Sequence, residues 1–225
     1  MIGYLVYFAI LMLVPFLAQS KVKKTYKKYS KIMNASMMTG AQVARKILDD
    51  NGLFNVSIEE TKGMLSDHYD PRKKVVRLSS ANYHGYSAAA EAIAAHEVGH
   101  AIQDAEAYAF LRLRHKLVPI ASLGDKMAFV FIIAGMIMGA MNLVLAGVIF
   151  MSFAVLFQLV TLPVEFDASN RAMTQLVSTG IINNNEERQT KKVLNAAALT
   201  YVAAALVALA ELIRFASMFF LQGDE

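Results

Sequence analysis

The string His96-Glu97-Val98-Gly99-His100 sets two imidazoles four residues apart, with a carboxylate beside the first. On a helix, residues four apart project about 40° from each other, so both rings reach one metal ion. Glu97, one position on, leans over the open coordination site, where a carboxylate takes a proton from bound water. The chain has no cysteine, which excludes disulfides, thiolate metal sites and cysteine nucleophiles together. Any metal therefore rests on His, Asp or Glu. Zinc suits such donors best: it accepts two neutral imidazoles and a carboxylate tetrahedrally, keeps water as fourth ligand and lowers that water's pKa to about 7. One ion per chain is expected, because the other histidines form no second cluster.

Three acids compete to be the third ligand. Glu106 lies ten residues after His96, where some enzymes place a third ligand past a glycine turn, but Gln103 occupies the glycine position and should continue the helix. Asp104 follows on the His100 face a full turn further along, which suits a supporting or solvated group. Glu165 ranks first: the uncharged stretch before it returns the chain to the same membrane face and starts a second helix beside the first. Asp167, two positions on, points elsewhere and reads as a salt-bridge partner, with Arg171 as the cation. His68 and His84 fall on the approach to the motif helix, Tyr83 and Tyr86 near its start. For the group that steadies a tetrahedral oxyanion, His68, His84, Arg171 and Tyr83 all stay open. His115, among Arg112, Arg114 and Lys116, reads as an interfacial collar.

These groups must be held at a membrane. Of 225 residues, 56% are hydrophobic and only 18% charged, with mean hydropathy +0.40, too apolar for an ordinary soluble domain and far from the composition of a disordered chain. Residues 2–18 form an uncharged anchor, read as uncleaved because the charges follow the apolar run. Residues 127–164 carry no charge over twice the length of one span, with Gly139 and Asn142 where a reversal fits. A last apolar stretch, 196–221, is interrupted only by Glu211 and Arg214, spaced to pair on one helix face. The net charge of +4 is local, with Lys21, Lys23, Lys24, Lys27, Lys28, Lys31, Arg45 and Lys46 all preceding the first acid, Asp49. A basic run after a span marks the cytoplasmic side, not a nucleic-acid surface.

The organisation expected is an anchor at 1–18, a cytoplasmic α+β part with the metal helix at 19–120, a two-span hairpin at 121–164, a cytoplasmic helix with the third ligand at 165–195, and a span with a short tail at 196–225. The acidic tail Gly223, Asp224, Glu225 should end outside. Within the cytoplasmic part, Thr39 and Gln42 have capping-box spacing for a helix closed by Gly52. Val56 to Glu60, Met64 to Tyr69 and Lys74 to Ser79 read as strands, the last two joined by a turn at Asp70-Pro71-Arg72-Lys73. Ser87 caps a helix running to at least Tyr108, Val164 to Thr179 is helical up to Gly180, and Asn184 or Asn185 caps the last helix.

The strings Ala94-Ala95-His96-Glu97-Val98-Gly99-His100-Ala101-Ile102-Gln103, Leu162-Pro163-Val164-Glu165-Phe166-Asp167-Ala168-Ser169 and Asp67-His68-Tyr69-Asp70-Pro71 resemble the YugP-like family of bacterial membrane zinc metallopeptidases. More distantly, the order of zinc helix, two spans and glutamate helix is similar to the integral-membrane gluzincins related to the CAAX prenyl proteases. The resemblance covers nearly the whole chain and implies His96, His100 and Glu165 as zinc ligands and Glu97 as base. In those relatives an aspartate usually follows the ligand glutamate by four residues. This chain has Ser169 there, with Asp167 and Asn170 as the substitutes that would support a ligand histidine.

The resulting expectation is a mainly α membrane protein with a small α+β, gluzincin-like cytoplasmic domain, about four transmembrane helices and a short β-sheet. Its function is peptide-bond hydrolysis at the cytoplasmic face of a bacterial inner membrane, with Glu97 as general base. Lys74 to Ser79 is expected to be a sheet edge that holds an extended substrate. The partners are the lipid bilayer and a peptide or membrane-protein substrate, with a membrane-protein partner or a homo-oligomer left open and no nucleic acid. The rival reading is a zinc-binding membrane scaffold or assembly factor without turnover.

Overall fold

Side-chain caps decide where the helices start. The computed structural model describes residues 2–222, with side chains for 5–219; the acidic tail Gly223, Asp224, Glu225 lies outside the described residues. Thr39 and Gln42 close a complete capping box on α2 (Gly40–Asp50), which follows α1 (Ile2–Tyr29), and Gly52 (φ +70) ends it. β1 (Ser57–Thr61), β2 (His68–Asp70) and β3 (Val75–Ser79) form one sheet, followed by the short α3 (Ser80–Tyr83). Ser87 accepts from the Ala90 N–H at 3.1 Å and opens α4 (Ala88–Ala105). Three long helices complete the chain: α5 (Ala109–Met138), α6 (Met141–Ser178) and α7 (Asn184–Gln222).

The protein is mainly helical; its described residues include one three-stranded sheet and four helices long and apolar enough to cross a membrane. These are α1, α5, α6 and α7. Gly139 supplies the reversal between α5 and α6: at φ +62 it adopts a left-handed conformation open to glycine at no steric cost, and the Ala140 N–H closes back on the Gly135 carbonyl at 2.9 Å. The chain falls into two compact units. One comprises residues 1–15, 109–163 and 201–225. The other comprises residues 16–108 and 164–200 and holds His96, Glu97, His100 and Glu165.

Four local expectations need correction. The first is β3, which is the central strand, in order β1-β3-β2, parallel to β1 and antiparallel to β2. Both its edges are hydrogen-bonded, so it cannot offer a free edge to substrate. Its own residues explain this: Val75, Val76 and Leu78 are all fully buried, as expected of a strand covered on both faces. Second, α4 stops at Ala105, short of Tyr108, because Ala107 turns the chain at φ +58. Third, α6 is one helix from Met141 to Ser178 with Pro163 inside it, so the second hairpin span and the glutamate helix are continuous. Fourth, Asn183 caps α7, its Oδ1 accepting from Asn185 N at 3.0 Å and Glu186 N at 3.3 Å, in place of Asn184 or Asn185. The turn after β2 is as expected, with Asp70 Oδ1 accepting from the Arg72 and Lys73 amides.

In the unit that carries the motif, α2, β3, α4 and the C-terminal half of α6 share one apolar core. Ile47, Leu48, Val76, Leu78, Val98 and Leu176 are buried in it. Glu91 on α4 is the exception in this apolar setting. It is wholly inaccessible; the Ser36 hydroxyl donates to Oε2 at 3.3 Å, and Oε1 has no hydrogen-bond partner among the described residues. Burial first, then the neighbouring Glu186 carboxylate, pushes its carboxyl up to about 8. An unfolded glutamate titrates near about 4.3, so folding takes up a proton between that pH and 8, and this contribution to stability is lost as pH rises through the interval. Glu91→Gln should therefore melt higher than wild type at pH 8, by an amount on the order of a few kcal/mol that shrinks toward pH 5. Parallel pH profiles of melting temperature for the two proteins would show that Glu91 is not the titrating group.

Candidate metal centre

Helix α4 brings His96 and His100 onto one face with ring centroids 4.8 Å apart. Glu165, in the C-terminal half of α6, meets both: its Oε2 stands 3.3 Å from His96 Nε2 and 3.6 Å from His100 Nε2. The three donor atoms all lie within 4.8 Å of one another. For metal–ligand bonds of about 2.0–2.2 Å at tetrahedral angles, donor atoms stand about 3.3–3.6 Å apart, so both carboxylate–imidazole spacings suit a zinc ion. Two imidazoles and one carboxylate also match its donor preference and leave a fourth position for water or substrate.

The approach of α6 to α4 depends on one residue inside the motif. A Cβ placed on Gly99 would stand 2.5 Å from the Ala168 carbonyl oxygen and 3.1 Å from its carbon, so only glycine lets the α6 backbone come this close. Gly99→Ala should cost about 1–3 kcal/mol of stability and displace Glu165 from the histidines. Melting temperature and bound zinc, measured together, check this; wild-type values of both would refute the close approach.

Each of the two histidines is held from behind. Ser169 Oγ lies 3.2 Å from His96 Nδ1 and supports that ring directly. Gln103 Oε1 lies 3.0 Å from His100 Nδ1. Asp167 reaches that histidine only through Gln103, whose amide nitrogen donates to it at 2.8 Å, and no hydrogen bond from Asn170 to either histidine appears among the described residues. Sequence reasoning treated Gln103 only as a residue that continues the helix. The signal available is an amide one turn beyond His100 on the same helix.

Glu97 is 8% exposed, and Glu165 2%. Burial pushes the Glu97 carboxyl above the ordinary range, against the pull of His96 and His100. His100 is raised as well: burial opposes its charged form, but the hydrogen bond and charge of Glu165 outweigh that.

The other candidates lie elsewhere. Glu106 is the C-cap of α4 and pairs with Arg171 Nη1 at 2.6 Å. Asp104 accepts from the Tyr69 hydroxyl at 2.9 Å and faces Lys74 at 3.6 Å. Arg171 is engaged by Asp167 at 2.5 Å as well as by Glu106, and its guanidinium lies over the Tyr108 ring. Exposed His84 pairs with Glu60 at 3.0 Å, and the Tyr83 ring packs edge-on against it. His68 Nδ1 sits 2.8 Å from the Ser66 carbonyl. Asp67, from the string quoted above, accepts from Ser79 N at 2.7 Å and Asn82 Nδ2 at 2.9 Å, fixing the entry to β2 against α3. Ser169, besides touching His96, lines an open cleft of about 610 Å³ between α6 and α7, with Asn170, Met173, Thr174, Arg188 and Lys191.

Comparison with known proteins gives a family in which zinc is expected. Residues 4–220 match the model of a family described as "Putative neutral zinc metallopeptidase". The chain is 53% identical over 210 residues, covering 93% of each protein, to "Putative membrane protease YugP" of Bacillus subtilis (strain 168). No solved structure matches.

Proposed function

Since this chain belongs to the neutral zinc metallopeptidase family, we propose that it is a membrane-embedded endopeptidase of the HExxH gluzincin type. His96, His100 and Glu165 hold one zinc ion, and Glu97 is the general base. The observation that supports this most is the meeting of His96 Nε2, His100 Nε2 and Glu165 Oε2 within 4.8 Å, from segments 69 residues apart in the chain. Bound there, zinc supplies a Lewis acid that polarises a scissile carbonyl and lowers the pKa of a water to about 7.

The chain's own residues do the rest. Glu97 takes the proton of the water attacking the carbonyl carbon and delivers it to the departing amine as the C–N bond breaks. Ser169 and Gln103 keep the imidazoles aimed. An intact Glu97 in this position separates a hydrolase from a scaffold that merely retains metal.

The membrane reading follows from charge. Residues 1–18 are the anchor, 121–164 the hairpin and 196–225 the last span; 19–120 and 165–195 face the cytoplasm of a bacterial inner membrane, because six lysines follow the anchor. The substrate is a peptide or membrane protein presented at that face. Removing metal with a chelator should abolish cleavage of a membrane-protein substrate by the purified enzyme, and equimolar zinc should restore it. Cleavage that survives complete zinc removal would overturn the proposal. A His84→Cys variant should resist an impermeant thiol reagent in intact cells, and labelling there would reverse the sidedness.

A further inference from the structure

Gln103 is buried without any solvent access. Its amide nitrogen donates to the Val164 carbonyl at 2.8 Å and to Asp167 Oδ2 at 2.8 Å, while Oε1 faces His100 Nδ1 at 3.0 Å. A primary amide has two N–H donors and one acceptor oxygen. Both donors here meet groups that only accept, so the amide has one tenable orientation; turned over, its oxygen would face two acceptors. Oε1 must therefore receive the Nδ1–H of His100. That assigns the tautomer, and leaves Nε2, the atom 3.6 Å from Glu165, carrying the lone pair that a metal needs.

The same amide also binds α6 on both sides of the third donor. Val164 immediately precedes Glu165, and Asp167 follows it by two. Asp167 is held in turn by Arg171, and Arg171 reaches Glu106 at the end of α4. His100, Gln103, Asp167, Arg171 and Glu106 thus form a closed path between the two helices. A residue serving only to fill this space would be apolar, since burying an amide is costly unless each of its hydrogen bonds is made.

We infer that Gln103 is a positioning residue for the metal: it sets His100 with Nε2 unprotonated and fixes α6 so that Glu165 stays within reach. This rests on the reading of His96, His100 and Glu165 as zinc ligands. It also makes the Arg171–Asp167 pair part of the metal site's support, since Asp167 is one of the two acceptors that keep the amide from turning over.

Zinc affinity of the purified full-length protein, measured by competition with a chromophoric chelator, tests this alongside a thermal melt. Gln103→Met keeps the volume and removes all three hydrogen bonds, and should weaken zinc binding about 10- to 100-fold. Asp167→Ala leaves Gln103 in place but removes one of the two acceptors that keep its amide from turning over. It should weaken zinc binding about tenfold, and the 15N shifts of the His100 ring, which should report a single Nδ1–H tautomer in the wild type, should report mixed tautomers in this variant. Wild-type affinity in a folded Gln103→Met overturns the inference. So does a folded Asp167→Ala that keeps both wild-type zinc affinity and the single His100 tautomer. Failure of the wild-type protein to bind zinc at all is a different result, which removes the metal-site reading itself.

Discussion

Glu97→Gln should lower kcat for peptide cleavage by about 10²- to 10⁴-fold while the protein keeps its fold and its zinc. The amide matches the carboxylate in size and can still hydrogen-bond, but it cannot take a proton from water. None of the three donor atoms that meet on α4 and α6 belongs to Glu97, so metal content should not change.

Glu165→Gln should behave in the opposite way. Its carboxylate is the one anionic donor of the three, and a carboxamide is a weak neutral ligand, so zinc affinity should fall by more than the roughly 10- to 100-fold typical of losing a supporting hydrogen bond. Activity should fall with occupancy and recover in part at high zinc. The variant also leaves His96 and His100, 13% and 10% exposed at the side chain, without the counter-charge that now faces them. The His100 imidazole, which Glu165 now raises, should then protonate less readily.

How far the sequence could be read depended on whether a feature was local. The two histidines and Glu97 lie within one turn and a half of a single helix, so their spacing alone indicates a metal-ligating face. Glu165 is 69 residues from His96, yet the sequence points to it, because an uncharged stretch of about two membrane lengths would return the chain to the side it left. Caps were legible where one residue type stood alone, as with Thr39 and Ser87. They were ambiguous at Asn183, Asn184 and Asn185, where three identical side chains compete for one role.

What escaped was set by partners distant in sequence or by backbone with no residue signature. The purpose of Gln103 depends on Val164 and Asp167, 61 and 64 positions away. Gly99 reads as a neutral spacer inside the motif until the Ala168 carbonyl is placed against it. The end of α4 turns on Ala107 at φ +58, a conformation that favours glycine and that an alanine does not announce. The central place of β3 follows from strand order, whereas its string of Val75, Val76, Arg77, Leu78 suits an edge as readily as an interior in hydropathy alone.

The account stands most directly on zinc content and peptidase activity measured side by side for Glu97→Gln and Glu165→Gln. It predicts that Glu97→Gln holds one zinc per chain and is inactive, and that Glu165→Gln has lost zinc at limiting metal and regains activity when zinc is raised. If Glu165→Gln keeps both zinc and activity while Glu106→Gln or Asp104→Asn loses both, the third ligand comes from the end of α4, and a metal centre assembled across α4 and α6 is contradicted.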